Sequence, residues 1–114
     1  MRIFVSGPYG DHNPPEIIAA NVAHADAVAR RLVAEGHEVY CAHKMQHGWE
    51  RDARLCRDDF LRVDESFLRH WAQGIVRLLG DSPGADWECG LARERGLVIY
   101  WPGEWPMPIL IASS

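Results

Sequence analysis

The stretch RIFVSGPYG, residues 2–10, is rich in β-forming residues and then breaks into Gly and Pro, which predicts a strand followed by a loop. Pro14 and Pro15 come next, where a first helical turn tolerates proline. The β-rich HEVYC follows at residues 37–41. Between them, apolar residues recur at steps of three and four up to a glycine stop, which predicts an amphipathic helix: Ile18, Val22, Ala25, Ala29, Leu32 and then Gly36. Strand, helix and strand within about forty residues predict a right-handed parallel crossover.

The remaining chain continues this alternation. It predicts a long loop with one helical turn at residues 42–59, a helix at 58–71 and a strand at 74–79. A tight loop at 80–84, a helix at 85–95 and a strand at 97–101 follow. The tail, 102–114, fits either an edge strand or a flap over a neighbour. We therefore expect one α/β domain over residues 1–114, a small Rossmann-like (flavodoxin-like) parallel sheet of four to five strands with flanking helices.

Composition narrows the function classes. A chain of 114 residues, 47% apolar, can bury one modest core. With 12 basic and 16 acidic residues and no basic run, polymeric nucleic acid is not an expected partner. No segment approaches the roughly 20 apolar residues of a membrane span, and the N-terminal apolar stretch is too short for a signal peptide, so we expect a cytoplasmic protein without a membrane partner. The three cysteines fit reduced packing thiols, and no zinc spacing is met, so we expect no metal.

The loops after strands one and three carry the candidate site, because ligands of open parallel sheets bind beyond the carboxyl ends of the strands. Ser82 followed by Pro83 is typical of a helix N-cap, which would direct backbone N–H groups and the positive end of the helix dipole at an anion. Glu88 lies a turn and a half into this helix. We expect the dipole to help keep its carboxylate ionised and nucleophilic at neutral pH.

Three motifs carry a resemblance to a known family: IFVSGPY at residues 3–9, Asp64-x-x-x-Leu68 on the helix before strand three, and Ser82-Pro83-Gly84-x-x-x-Glu88-x-Gly90-x-Ala92. Together they resemble the nucleoside 2-deoxyribosyltransferase family and its nucleoside 5′-monophosphate N-glycosidase relatives, over most of the chain up to Trp101. The chain departs from the family pattern at Ala72-Gln73-Gly74, where members usually carry an aspartate, and at Asp11-His12-Asn13, where phosphate-binding relatives often carry arginine or further serine.

The resemblance implies roles for individual residues. Glu88 would attack the anomeric carbon, Asp64 would assist the leaving base, and the Tyr9 hydroxyl would touch the nucleophile. Glu65 remains a rival to Asp64, because matching both flanks of the motif requires one extra residue. The resemblance also implies a homo-oligomer, a dimer or higher, in which a neighbour completes the pocket, and no cofactor. The expected substrate-binding residues are Ser6, Gly7, Pro8, Gly10, His12, Asn13, Ser82 and Gly84.

The chemistry also stands without the family. Breaking an N-glycosidic bond passes through a cationic sugar, which one carboxylate can capture covalently while a second acid protonates the base. Three functions stay open: a nucleotide hydrolase, a base-exchanging transferase, and a non-catalytic nucleotide sensor. Ser82 stands where nucleoside transferases tend to carry an acid, and a serine can donate to phosphate. We therefore expect a hydrolase of nucleoside 5′-monophosphates.

Overall fold

The computed structural model describes residues 1–10 and 13–101. This part of the chain contains four strands and four helices, and a 3-10 turn at Trp49–Arg51 separates two successive helices between the second and third strands. The strands are β1 Arg2–Ser6, β2 Glu38–Cys41, β3 Gly74–Arg77 and β4 Val98–Tyr100; the helices are α1 Pro15–Ala34, α2 Ala42–Gln46, α3 Arg57–His70 and α4 Pro83–Glu94. The expectations for His12 and the tail 102–114 fall outside the described residues.

The strands form one parallel sheet in the order β2-β1-β3-β4. This confirms the predicted small Rossmann-like α/β fold, and the order agrees with the flavodoxin-like arrangement. In the register, Val5 of β1 lies beside Cys41 of β2 and Val76 of β3. The chain therefore winds outward from β1 in two directions, and a crevice opens at the carboxyl ends of β1 and β3.

The core lies in two layers, one on each face of the sheet. Successive side chains of β1 point to opposite faces, so Ile3 and Val5 pack with α1, whereas Phe4 packs with α3 and α4. The predicted stripe of α1 explains the first layer, because Ala25 and Leu32 are fully buried in it. Helix α4, which carries Glu88, packs in the second layer. This packing fixes where the Glu88 carboxylate points.

The structure corrects three sequence-based expectations. The stretch expected to be a long loop contains both α2 and the 3-10 turn, because α2 follows β2 without an intervening loop. Helix α4 begins at Pro83 rather than residue 85, since Ser82 caps it. Cys56 is exposed and does not pack in the core, whereas Cys41 is half-buried and Cys89 is buried; all three thiols are free. No helix of the described residues is long and apolar enough to cross a membrane.

The loops after β1 and β3 pack directly against each other. A Cβ atom on Gly7 would lie 2.8 Å from the Cβ of Leu78, and one on Gly80, at φ +121°, would lie 2.6 Å from the Cγ of Pro8. Real side chains do not approach so closely, so both positions need glycine. This close approach closes one side of the crevice with backbone.

Candidate active site

A cavity of about 480 Å³ opens at the carboxyl ends of β1 and β3. This is the place where an open parallel sheet with this strand order binds ligands, and the volume is within the usual range of small-molecule sites. All of the predicted site residues line it except two. Ser6 lies behind the cavity wall, and His12 is outside the described residues.

Four buried polar side chains lie at the cavity floor or behind it. Ser6, Asp64, Arg77 and Glu88 are at most 7% exposed, although charged side chains are almost never fully buried unless they are paired. They come from four different elements, β1, α3, β3 and α4. Since burying such groups costs folding free energy, their convergence at a cavity is typical of a functional site.

Glu88 is at the centre of this group. Helix α4 begins with Ser82, whose Oγ accepts a hydrogen bond from the Ala85 backbone N–H at 3.1 Å, and side chains of a helix lean toward its N-terminus. The Glu88 carboxylate therefore points toward the end of α4 that faces the cavity. Ser6 Oγ donates a hydrogen bond of 2.6 Å to Glu88 Oε1. Ser6 thus orients the carboxylate, a role different from the expected substrate contact.

The protonation of Glu88 differs from the expectation based on the helix dipole. Burial raises the pKa of Glu88 well above the ordinary glutamate value, the charge of Asp64 and a hydrogen bond between the two carboxyl groups raise it further, and Ser6 and Arg77 oppose these effects. Burial also raises the pKa of Asp64. Desolvation outweighs the helix dipole here because the dipole contributes only a partial charge. The hydrogen bonds that Asp64 makes with Glu88 and with Gln46 act against the rise in its own pKa.

Asp64 occupies the position expected of the second carboxylate. It is buried beside Glu88 rather than at the margin of the helix face, and Gln46 Nε2 donates a hydrogen bond of 2.8 Å to its Oδ1. Glu65 points elsewhere and pairs with Arg69, its carboxylate 2.5 Å from the Arg69 Nε. The structure therefore brings Asp64, and not Glu65, to Glu88.

The Tyr9 hydroxyl does not follow the expectation drawn from the resemblance. It lies 2.9 Å from both carboxylate oxygens of Glu50 and accepts from the Gly48 backbone N–H at 3.2 Å. His47 Nδ1 lies 3.3 Å from the same hydroxyl. Burial, more than the Glu50 charge, raises the pKa of Tyr9, so the hydroxyl keeps its proton. Tyr9 lines the cavity, but its hydroxyl is bound to Glu50 of the 3-10 turn instead of to Glu88.

The N-terminus of α4 lines one part of the cavity through Ser82, Gly84 and Ala85. Asn13 also lines the cavity, and its backbone N–H donates to the Gly10 carbonyl oxygen at 2.8 Å. Asp81 lines the cavity as well and is exposed. The cavity wall therefore presents both hydrogen-bond donors and one exposed carboxylate.

Sequence reasoning missed the side of the cavity formed by α2, the 3-10 turn and α3. Their lining residues are His43, Gln46, Glu50, Arg57, Phe60 and Leu61. On α3, residues 57, 60, 61 and 64 are spaced three or four apart and lie on one face of the helix. A search for residues on the same helix face as Asp64 would therefore have found Arg57, Phe60 and Leu61. His43 Nε2 donates to the Pro8 carbonyl oxygen at 2.9 Å, and burial lowers the pKa of His43 and keeps it neutral.

Comparison of the sequence with models of known protein families gives no match, and comparison with curated proteins gives none either. The resemblance to the nucleoside 2-deoxyribosyltransferase family therefore remains an expectation. What the site can do has to be argued from its own geometry.

Proposed function

We propose that this protein hydrolyses the N-glycosidic bond of a nucleoside 5′-monophosphate through a covalent glycosyl intermediate on Glu88. The observation that carries the proposal is the pair of buried carboxyl groups, Glu88 and Asp64, which both line one cavity of about 480 Å³. They come from different helices, so both can face one bound sugar. A volume of this size accommodates a sugar, a base and a phosphate.

The reaction requires two steps with opposite proton transfers. In the first, a Glu88 carboxylate oxygen forms a bond to the anomeric carbon as the bond to the base breaks, and the proton of Asp64 goes to the departing base nitrogen. In the second, Asp64 takes a proton from water, which attacks the anomeric carbon and releases Glu88.

The first step needs an ionised Glu88 and a protonated Asp64, whereas the contact between the two carboxyl groups raises the pKa of Glu88 and lowers that of Asp64. Two neighbours act in the direction that the reaction needs. Ser6 donates to Glu88, and the Arg77 charge also favours its ionised form. A protonated Asp64 still accepts the Gln46 hydrogen bond, because its carbonyl oxygen remains an acceptor. A sugar that becomes cationic beside Glu88 strengthens the same distribution.

A phosphate at the 5′ end is favoured by the N-terminus of α4, where Ser82 is the cap and Gly84 lines the cavity. Pro83 has no N–H, and the N–H groups of Ala85 and Asp86 donate to Ser82, so the donors left for a phosphate are the Gly84 N–H and the Ser82 hydroxyl. Arg57 adds a cation to the cavity lining and is exposed, so it can reach an anionic ligand.

A transferase that exchanges bases between nucleosides is the second candidate, and Asp81 is the observation that favours it. Its carboxylate at the same end of the cavity would repel a phosphate and accept a hydrogen bond from a 5′-hydroxyl. The same covalent intermediate serves both reactions; only the acceptor, water or a second base, differs.

The decisive experiment incubates the protein with matched nucleosides and 5′-monophosphates and measures free base, with and without a second base as acceptor. We expect base release from monophosphates without an acceptor, and none from Glu88→Ala. Glu94→Ala, on the same helix, serves as a control for folding and handling. Release only in the presence of an acceptor would establish the transferase, and tight binding without release from any substrate would establish a sensor.

Ser82→Asp tests the preference at the 5′ end. The substitution keeps an N-cap residue, so the melting temperature should change little, but it sets a second carboxylate against the phosphate. A helix N-terminus favours an anion by about 0.3–2 kcal/mol, so the ratio of kcat/KM for monophosphate over nucleoside should fall by about 2- to 30-fold. An unchanged ratio would assign Ser82 to capping alone.

The homo-oligomer and the cytoplasmic location implied by the sequence are part of the same proposal. Sedimentation of the purified protein tests the oligomeric state.

A further inference from the structure

Arg77, the last residue of β3, is a buried cation that does not line the cavity and that neither bonds to the sugar nor transfers a proton in the proposed reaction. It is 5% exposed. Its Nη2 donates to Asp86 Oδ1 at 2.9 Å and to the Gly80 carbonyl oxygen at 3.0 Å, and its Nη1 donates to the Leu78 carbonyl oxygen. Its Nε has no acceptor among the described residues. A strand residue that packs only as core would be apolar here, since the three preceding residues of β3 are apolar and buried.

The sheet register places Arg77 next to the residue that holds Glu88. Arg77 and Ser6 are paired across β3 and β1, and paired residues of parallel strands lie about 4.8 Å apart with their side chains on the same face. This is the face covered by α4, because Phe4 and Ile75, two residues earlier on each strand, pack with Cys89 and Ala92. Glu88 therefore stands over a pair of neighbours, one neutral donor and one cation.

We propose that Arg77 is a positioning residue for Glu88. Arg77 supplies a fixed positive charge behind the ionised carboxylate and holds the loop from β3 to α4 in place. This inference rests on the proposed function for its meaning, although its effect on Glu88 can be measured without activity. The loop it ties, through the carbonyl groups of Leu78 and Gly80, leads directly into Ser82 and the cavity wall.

Arg77 is the cation among the groups that face Glu88. Asp64 on α3 raises the pKa of Glu88, whereas the Ser6 hydroxyl on β1 and the Arg77 charge on β3 lower it. Tyr40 on β2 keeps its proton, because burial, with Asp64 and Glu88 adding to it, raises the pKa of its hydroxyl to about 12. The neighbouring thiol of Cys89 also stays protonated, since burial raises its pKa. Removing the Arg77 charge would leave Glu88 facing only neutral or negative groups from these elements.

The test compares Arg77→Gln, Arg77→Lys and Asp86→Asn in the full chain. Arg77→Gln removes the charge, so the acidic limb of kcat/KM against pH should move up by about one unit, given that a nearby opposite charge lowers a carboxyl pKa by about 1–3 units. Arg77→Lys keeps the charge and loses the forked hydrogen bonds, so the limb should stay near the wild-type pH while KM rises. Asp86→Asn leaves the arginine without its counter-charge, so the limb should move down.

Carboxyl 13C NMR of the resting protein, labelled at Glu and Asp, gives the same shifts independently of turnover. If no substrate is cleaved but the Glu88 resonance titrates higher in Arg77→Gln and lower in Asp86→Asn, the proposed function fails and the role of Arg77 stands. If base is released but neither variant moves the limb or the resonance, the inference is overturned and Arg77 only braces the loop. Should Arg77→Gln not fold, the downward shift in Asp86→Asn decides alone, and its absence overturns the inference.

Discussion

Replacing Ser6 with alanine should separate support of the nucleophile from substrate binding. The variant removes the hydroxyl that donates to Glu88 Oε1 at 2.6 Å, and this bond is shielded from water because Ser6 is only 1% exposed. A hydrogen bond to a charged group contributes about 1.5–3 kcal/mol, and a factor of ten in rate corresponds to about 1.4 kcal/mol. We therefore expect kcat/KM for base release to fall by about 10- to 150-fold, because the bond is strongest when Glu88 is ionised.

The direction of the pH effect follows from the same bond. Ser6 lowers the pKa of Glu88, so its loss should raise that pKa and move the acidic limb of the rate profile to higher pH. The free energy of unfolding should drop at pH values above the pKa of Glu88 in the folded protein, where the wild-type bond has a charged acceptor, and much less at low pH, where Glu88 is protonated in both proteins.

The assay is base release at a series of pH values, with a thermal melt at each pH. Ser82→Ala provides the matched control, because it removes another serine hydroxyl near the cavity and costs about 1 kcal/mol of capping without touching Glu88. Its acidic limb should not move. A folded Ser6→Ala protein with kcat/KM within twofold of wild type and an unmoved limb would refute the argument.

Three further predictions concern stability and the second carboxylate. Glu88→Gln should abolish base release yet raise the free energy of unfolding at pH 7 by about 0.5–2 kcal/mol. Because the pKa of Glu88 is raised in the folded protein, the stability of the wild type falls as the pH rises above the ordinary glutamate pKa. Thermal melts should therefore show that the gain in the variant vanishes near pH 4. Asp64→Asn should slow release most for poor leaving bases, whereas Glu65→Gln should lose only its surface ion pair with Arg69; the reverse order in rate assays across a series of bases would contradict the placement of the acid. Gly80→Ala should lower the melting temperature, because its Cβ would lie 2.6 Å from Pro8 at a φ of +121°; an unchanged melt would show that the two loops move apart easily.

The fold was predictable from the sequence because its elements are long and regular enough to carry a period. The five-residue β1 and the twenty-residue α1 have clear patterns, and Gly36 marks the end of the helix through its positive φ. The cap at Ser82 was equally legible, since it depends on residues that are neighbours in the chain. Local chemistry thus gave the sheet, the crevice and the helix that carries Glu88.

The remainder of the site depends on contacts between residues far apart in sequence. Helix α2 has five residues, too few to show a period, and the bond between Tyr9 and Glu50 spans 41 residues. The protonation of Glu88 depends on how completely it is buried and on the nearness of Asp64, and neither follows from spacing on one helix. Arg77 offered one signal, a charge at the end of an otherwise apolar strand.

The close contact of Gly7 and Gly80 with the opposite loop gives the cavity two walls of different adaptability. In one wall the glycine backbone packs against the side chains of Leu78 and Pro8, where an added Cβ atom collides, so substitution of either glycine is costly. The opposite wall consists of helix side chains such as Arg57, Phe60 and Leu61, which can be exchanged without moving the sheet. Selection of variants for new bases should therefore yield changes on α3, while the loops after β1 and β3 stay constant among all active clones.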